Sequence, residues 1–479
     1  MPHHDAWRFV VFLAILGCSG CPSSHNGDDT AGDACSAASC DTSCLARGWC
    51  PGGCTDAGSC LCQCTPDAAD ADDGRADDVA DDADRTESWE DGTDRDDGGA
   101  DCTYRPTGET KPGANPGMTC RRISIPEAEH GLLRFAGDGN RVIFAGGETR
   151  DWLWEFDRGT GCVEPVLEGR TPAGAPAWIV GLAVEGERTA FNLTWSPDAS
   201  TDHCETHLHD RETGDDRLLA ENTSPVNGST SGCRMDSIAL EYPWVVWRDV
   251  RYVSALFYPW DVHALNIETD ELLNLSNDPA TGERVWGSTV VTDLRGGLAV
   301  FEAEWQTGVP LRRYSEVVSV DLRTDERRQI TSAIGQQFYP TVTEDWIAWV
   351  DEREDPGSTS FWPCSADIYG FNRGGGTEVP LVTEGDALHG PTLDGEGPWL
   401  AYADQRWDPR PLCDEDREQS IVAFHLPTMT EIRVTDWPGF EALPKVYDRH
   451  DGTFGVLLIE EISYAPAIYR LWDCDLPAM

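Results

Sequence analysis

Three stretches of this chain repeat one pattern. Residues 244–251 read W-V-V-W-R-D-V-R, residues 346–353 read W-I-A-W-V-D-E-R, and residues 399–406 read W-L-A-Y-A-D-Q-R. Each run is followed by a loop and an alternating strand. Self-similarity at a period of about 50 residues marks a propeller or a linear array. Taking each run as the second strand of a unit, second strands begin near Val142, Thr189, Trp244, Leu298, Trp346, Trp399 and Phe454, 47 to 55 residues apart. That spacing suits four-stranded blades. It predicts an all-β protein, a β-propeller of six to seven blades and seven by repeat count.

The rest of each unit supports this reading. Third strands alternate, as in residues 261–266, 316–321 and 367–372, which fits half-buried strands. Turns follow at R-G-T-G (158–161), R-E-T-G (211–214), I-E-T-D (267–270), L-R-T-D (322–325) and N-R-G-G (372–375), and fourth strands come next, as at 327–331 and 431–435. Prolines 176, 340, 391 and 444 are expected to lead into first strands, where a missing N–H costs little. The seventh unit lacks a fourth strand after Cys474, while Cys120-Arg121-Arg122-Ile123-Ser124 precedes the first unit and reads like residues 327–331. The N-terminal strand is therefore expected to complete the last blade, close the ring and bring Cys120 beside Cys474. Cys364 and Cys413 lie in equivalent loops of neighbouring blades and form a second candidate pair.

The W-x-x-W-x-D-x-R second strand and the D-I-Y-x-x-D-like third strand resemble the TolB-like family of β-propellers over about 350 residues. Blades 1, 2, 4 and 7 depart from the pattern: Phe144, Trp195 and Phe301 stand where Trp-x-Asp is expected, and blade 7 has Leu457-Leu458-Ile459. The resemblance implies binding or scaffolding, and no cofactor.

The chain has 479 residues, 85 acidic against 36 basic, for a net charge of −49. This argues against nucleic acid, whose phosphates it would repel, and against charge-driven adhesion to an anionic membrane. Residues 9–16 form an apolar run too short to span a bilayer but suited to a signal-peptide core. Ile15-Leu16-Gly17-Cys18 resembles a bacterial lipobox. That resemblance implies a signal peptide over 1–17, a mature start lipidated at Cys18, and outer-membrane sorting from Ser19. Residues 18–34 read as a tether. Residues 65–101 hold 14 Asp and 2 Glu against 3 Arg, a net −13, and are expected to be a disordered acidic linker ahead of a propeller domain over 102–479.

Eighteen cysteines in an exported chain imply disulfides. Eight of them, Cys35, Cys40, Cys44, Cys50, Cys54, Cys60, Cys62 and Cys64, fall within 35–64. Cys-x3-Cys suits one face of a helical turn, and Cys60-x-Cys62 puts two sulfurs on one face of a strand. A small disulfide-stapled αβ module follows, since so short a segment cannot build an apolar core. Its spacing resembles the eight-cysteine invertebrate defensins, although the final gap is one residue shorter than is usual there. The resemblance implies the pairs Cys35–Cys54, Cys40–Cys60, Cys44–Cys62 and Cys50–Cys64. Membrane-active defensins are cationic, whereas this segment carries Arg47 against Asp41 and Asp56.

No H-E-x-x-H, G-x-S-x-G or P-loop is present, so no catalytic residue is assigned and the protein is expected not to be an enzyme. His207 and His209, two apart on a strand, share a face that would suit a metal, but are read as ordinary histidines and no metal is assigned. The pairs Asp249/Arg251, Asp351/Arg353 and Asp404/Arg406 are read as ion pairs tying strand to loop, with a binding face as the alternative. The loops after them carry aromatics, of which Trp260, Phe361, Trp362 and Trp407 are the binding-surface candidates. The expected function is a monomeric, lipid-anchored envelope protein whose propeller binds a protein or glycan partner without catalysis. The alternatives are a defensin-like effector carried by the propeller, and a propeller hydrolase or lyase using a metal in the central channel.

Overall fold

The computed structural model describes residues 102–479 except 133, 148–149, 199–200, 226–236, 250–260, 277–291, 308–311, 334, 354–365, 384–392, 411–416 and 465–466, together with the backbone of residues 52–54 and 60–62. Seven antiparallel sheets form the blades of a propeller. Blade 1 uses Arg134–Asp138, Arg141–Gly146, Trp152–Asp157 and Cys162–Glu168. Blade 2 uses Trp178–Glu185, Arg188–Asp198, Thr201–Asp210 and Asp215–Pro225. Blade 3 uses Ile238–Glu241, Trp244–Asp249, Asp261–Asn266 and Glu271–Asn274. Blade 4 uses Thr292–Arg295, Leu298–Thr307, Arg312–Asp321 and Glu326–Gln329. Blade 5 uses Gln337–Val342, Trp346–Asp351, Asp367–Asn372 and Thr377–Val382. Blade 6 uses Asp394–Glu396, Trp399–Asp404, Ser420–His425 and Thr430–Arg433. Blade 7 uses Glu441–Asp448, Phe454–Tyr464 and Ala467–Asp475. First strands neighbour one another in sequence order around the ring, and that of blade 7 returns to that of blade 1.

The W-x-x-W motif works because side chains alternate along a strand. Residues three apart point to opposite faces, and in a propeller both faces of a second strand are buried between neighbours. Trp244 accordingly packs with Leu294, Ala299 and Phe301 of blade 4, while Trp247 packs with Ala190 and Leu208 of blade 2. Trp399 faces blade 7 and Tyr402 faces blade 5 in the same way. The fourth residue of the second strand is Phe144, Phe191, Trp247, Phe301, Trp349 or Tyr402 in blades 1 to 6, each buried. In blade 2 this position belongs to Phe191 rather than Trp195, because the 11-residue strand carries Trp195 a further turn of the pleat outward.

The turns between third and fourth strands share one construction. Asp157, Asp210, Asn266, Asp321 and Asn372 each accept a hydrogen bond from a backbone N–H two or three residues on, as in Gly159 N to Asp157 Oδ1 at 2.7 Å and Gly375 N to Asn372 Oδ1 at 2.6 Å. The chain then turns through a left-handed residue, Gly161, Gly214, Asp270, Asp325 or Gly376. Asn and Asp serve here because their short side chains mimic a backbone turn, and Gly because positive φ costs it nothing.

Thr119–Arg122 completes blade 7, pairing Trp472 with Arg122 and Cys474 with Cys120, as the sequence predicted. A disulfide joins the two buried cysteines. A fifth strand, Thr110–Pro112, adds to the outside. It delivers Lys111 to Glu460 at 2.6 Å, with the ammonium over Trp437 and Trp472. A second disulfide, Cys102–Cys162, pins the N-terminal segment to the fourth strand of blade 1.

Two of the prolines differ from expectation. Pro340 and Pro444 sit inside first strands, not ahead of them. Tyr339-Pro340 together oppose Trp349, and Leu443-Pro444 oppose Leu458, so each proline occupies a bulge. The first strand is the inner edge of its blade, and the bulge leaves the missing N–H without a ladder partner to disappoint. In the N-terminal unit, Gly52–Cys54 pairs antiparallel with Cys60–Cys62. The expected lipidation of Cys18, the expected helical turn at Cys40–Cys44 and the four pairings implied by the defensin resemblance fall on residues outside those described.

Candidate functional site

In blades 5 and 6 the chain just beyond the second strand is locked by charge. In blade 5, Asp351 is fully buried at the end of its strand. It accepts the Trp349 indole N–H at 2.8 Å, the Arg353 backbone N–H at 2.8 Å and the Arg353 guanidinium at 2.5 Å. Arg353 also reaches Glu378 of the fourth strand and covers the ring of Tyr369. Burial alone would lower the pKa of Arg353, but the bonds to Asp351 and Glu378 raise it. Blade 6 repeats the arrangement: Arg406 bonds to Asp404 at 2.7 Å and to Glu431 at 3.0 Å. The Asp-x-Arg pairs of blades 5 and 6 are thus structural ion pairs; Arg251 of blade 3 lies outside the described residues.

Of the four aromatic candidates, Trp407 is described, and Trp260, Phe361 and Trp362 are not, nor is the pair Cys364 and Cys413. Trp407 is 41% exposed. The guanidinium of Arg406 lies 5.1 Å from its ring centre and that of Arg433 4.6 Å. The loop beyond it is latched again. Asp408 accepts hydrogen bonds from Arg410 Nε at 2.9 Å, Arg410 N at 2.8 Å and Glu418 N at 2.5 Å. The Arg410 guanidinium holds the Asp408 carboxyl well below the usual carboxylate range. Trp407 is therefore an exposed aromatic flanked by the ion pairs of Arg406 with Asp404 and of Arg410 with Asp408.

Around the channel, the first strands carry charges that sequence reasoning passed over. Asp293 of blade 4 accepts Thr341 Oγ1 at 2.7 Å and Val342 N at 2.8 Å. Asp394 of blade 6 accepts Lys445 Nζ at 2.7 Å and Val446 N at 2.8 Å. Each aspartate clasps the two residues after a proline bulge in the next blade, where Tyr339 and Leu443 stand at φ 53°. The signal was present as the shared x-Pro-x-Val of 339–342 and 443–446. Burial pushes Glu396 up to about 8; Arg295, to which it is bonded, opposes this, and Asp293, Asp394 and Asp448 add to it. At the far end of the first strands, Glu241 accepts the N–H groups of Gly296 and Gly297, both at 2.7 Å. Glu185 accepts that of Tyr242 at 2.5 Å. These carboxylates bind one blade to the next.

His207 of blade 2 takes up a similar duty. His207 stacks on Phe191 and bonds Glu205 at 2.9 Å and Asp216 at 3.1 Å. Burial would lower its pKa, but those two carboxylates raise it. Among the described residues no group of three His, Cys, Asp or Glu is placed to hold a metal ion.

No family model matches this chain, and no curated protein matches it. Solved structures that do match include an oligogalacturonate lyase from Vibrio parahaemolyticus at 12% identity and TM-score 0.48, covering 77% of this chain and 96% of that one. The β-propeller domain of the Trilobed protease from Pyrococcus furiosus matches at 10% identity and TM-score 0.49, covering 73% and 95%. A putative TolB from Agrobacterium tumefaciens matches at 14% identity and TM-score 0.36, covering 59% and 91%. Likenesses this distant bear on no activity, and the seven-bladed ring rests on this chain's own strand pairing.

Proposed function

We propose that this chain is a lipid-anchored envelope protein whose propeller binds a protein or glycan partner as a non-catalytic scaffold. The observation that carries this reading is Trp407, an exposed aromatic with two guanidinium groups over its ring, beside ion pairs at Asp404 and Asp408. A rigid aromatic with arginine beside it is the composition of an interface hot spot, because little entropy remains to be lost on binding. The two disulfides support an oxidising compartment outside the cytoplasm, and the Ile15-to-Cys18 motif supports lipidation at Cys18.

The test is capture of envelope proteins and glycans by the full chain, repeated at high salt and with chelator, beside Trp407→Ala. The proposal expects a saturable partner that survives both conditions and binds the variant at least about tenfold more weakly, since a hot-spot truncation costs about 2 kcal/mol or more. Retention of full affinity by the variant removes Trp407 from the argument. Loss with chelator alone moves the reading towards a metal site.

A further inference from the structure

Blade 1 carries a cavity of about 400 Å³ lined by Tyr104, Glu127, Gly147, Asp151, Trp152, Trp154 and Pro165. Three aromatic rings meet there. Trp152 and Trp154 stand 5.9 Å apart, and Tyr104 meets Trp154 edge-on at 5.5 Å. Tyr104 is brought in from outside the blade. It bridges Val163 through two backbone hydrogen bonds, and the Cys102–Cys162 disulfide anchors it.

Two polar groups of this lining lack partners. Asp151 is 5% exposed, and among the described residues its carboxylate meets neither a hydrogen-bond donor nor a cation. The Trp154 indole N–H is buried and has no acceptor. A buried carboxylate without a counter-charge is costly unless a cation joins it. Glu127 adds a second carboxylate, and the lining holds no basic side chain. Aromatic faces around a site of negative charge attract organic ammonium ions through the ring quadrupole. The cavity is near the small end of ligand pockets, which suits a head group rather than a polymer.

We propose that this cavity binds an organic ammonium group, its charge beside Asp151 among the rings of Tyr104, Trp152 and Trp154. A ligand carrying phosphate or carboxylate next to its nitrogen is repelled by Asp151 and Glu127. The site is separate from Trp407 and does not rest on the scaffold reading. Its chemistry is met equally by a free small amine and by a methylated lysine side chain.

Calorimetric titration of the full chain tests it, with choline, tetramethylammonium, a trimethyl-lysine peptide, and dimethylbutanol as the neutral carbon isostere of choline. Choline and tetramethylammonium are both expected to bind, choline about tenfold more tightly than dimethylbutanol. Asp151→Asn and Trp152→Ala are each expected to weaken choline about tenfold, with circular dichroism and unfolding midpoints checked for both. Preference for choline over the peptide assigns a free amine, and the reverse assigns a side chain. Equal binding of choline and dimethylbutanol overturns the proposal, as does unchanged affinity in a folded Asp151→Asn, or no heat from any ammonium ligand at about 10 mM.

Discussion

The bond between Cys120 and Cys474 should be the strongest single constraint on the ring. It joins residues 354 apart, so it holds nearly the whole propeller as one loop in the unfolded chain. Loop-closure entropy for that length corresponds to about 6 kcal/mol, against about 4 kcal/mol for the 60-residue separation of Cys102 and Cys162. The cysteines are also fully buried in the apolar interface between blades 6 and 7. Alanine at both positions removes the constraint without burying a new polar group. Guanidinium unfolding followed by tryptophan fluorescence, without reductant, should show the midpoint of Cys120→Ala/Cys474→Ala falling by roughly 1 M. The Cys102→Ala/Cys162→Ala variant should fall by less, because its loop is shorter and ties down only a peripheral segment. If the second pair lost as much stability as the first, or the first lost none, the strand pairing of Thr119–Arg122 alone would be closing the ring, and the entropic argument would be wrong.

Other consequences are open to measurement. Burial pushes Glu441 up to about 9; a hydrogen bond from Thr435 opposes this, and Glu460 adds to it. A carboxyl raised from 4.5 contributes stability fully below that value and loses it as pH rises towards 9. The stability advantage of Glu441→Gln over the parent should therefore widen by about 1.4 kcal/mol per unit from pH 5 to 8, and a constant difference would refute the shift. Asp293→Ala and Asp394→Ala each strip a backbone N–H of its acceptor beside a proline bulge, and should cost about 1–3 kcal/mol in chemical denaturation. If both are silent, the clasps are incidental. Trp349→Ala should cost about 3–5 kcal/mol, while Trp407→Ala should leave stability within about 0.5 kcal/mol. Comparable losses in the two would mean that Trp407 serves the core.

The ring was legible in the sequence because a blade buries both faces of its second strand. That demand writes runs such as W-V-V-W and W-I-A-W into the chain at a regular interval, and the start of each of the seven second strands followed from it. The turns were legible for a local reason, since Asp or Asn followed by a left-handed Gly or Asp is a short-range requirement. Closure was legible because Arg121 to Ser124 imitates a fourth strand that the last unit lacks. The clasps of Asp293 and Asp394 were legible only at the receiving end, in the shared x-Pro-x-Val of 339–342 and 443–446. Each acts on the neighbouring blade some 50 residues on, and a lone aspartate in a strand announces no partner. The blade 1 cavity was equally hidden. Tyr104 lies far along the chain from Trp152 and Trp154, and only the Cys102–Cys162 bond and the bridge to Val163 set its ring against theirs. Periodic burial belongs to the sequence. Which charge or ring meets which across the blades is decided by tertiary structure, because it depends on distances that no local pattern encodes.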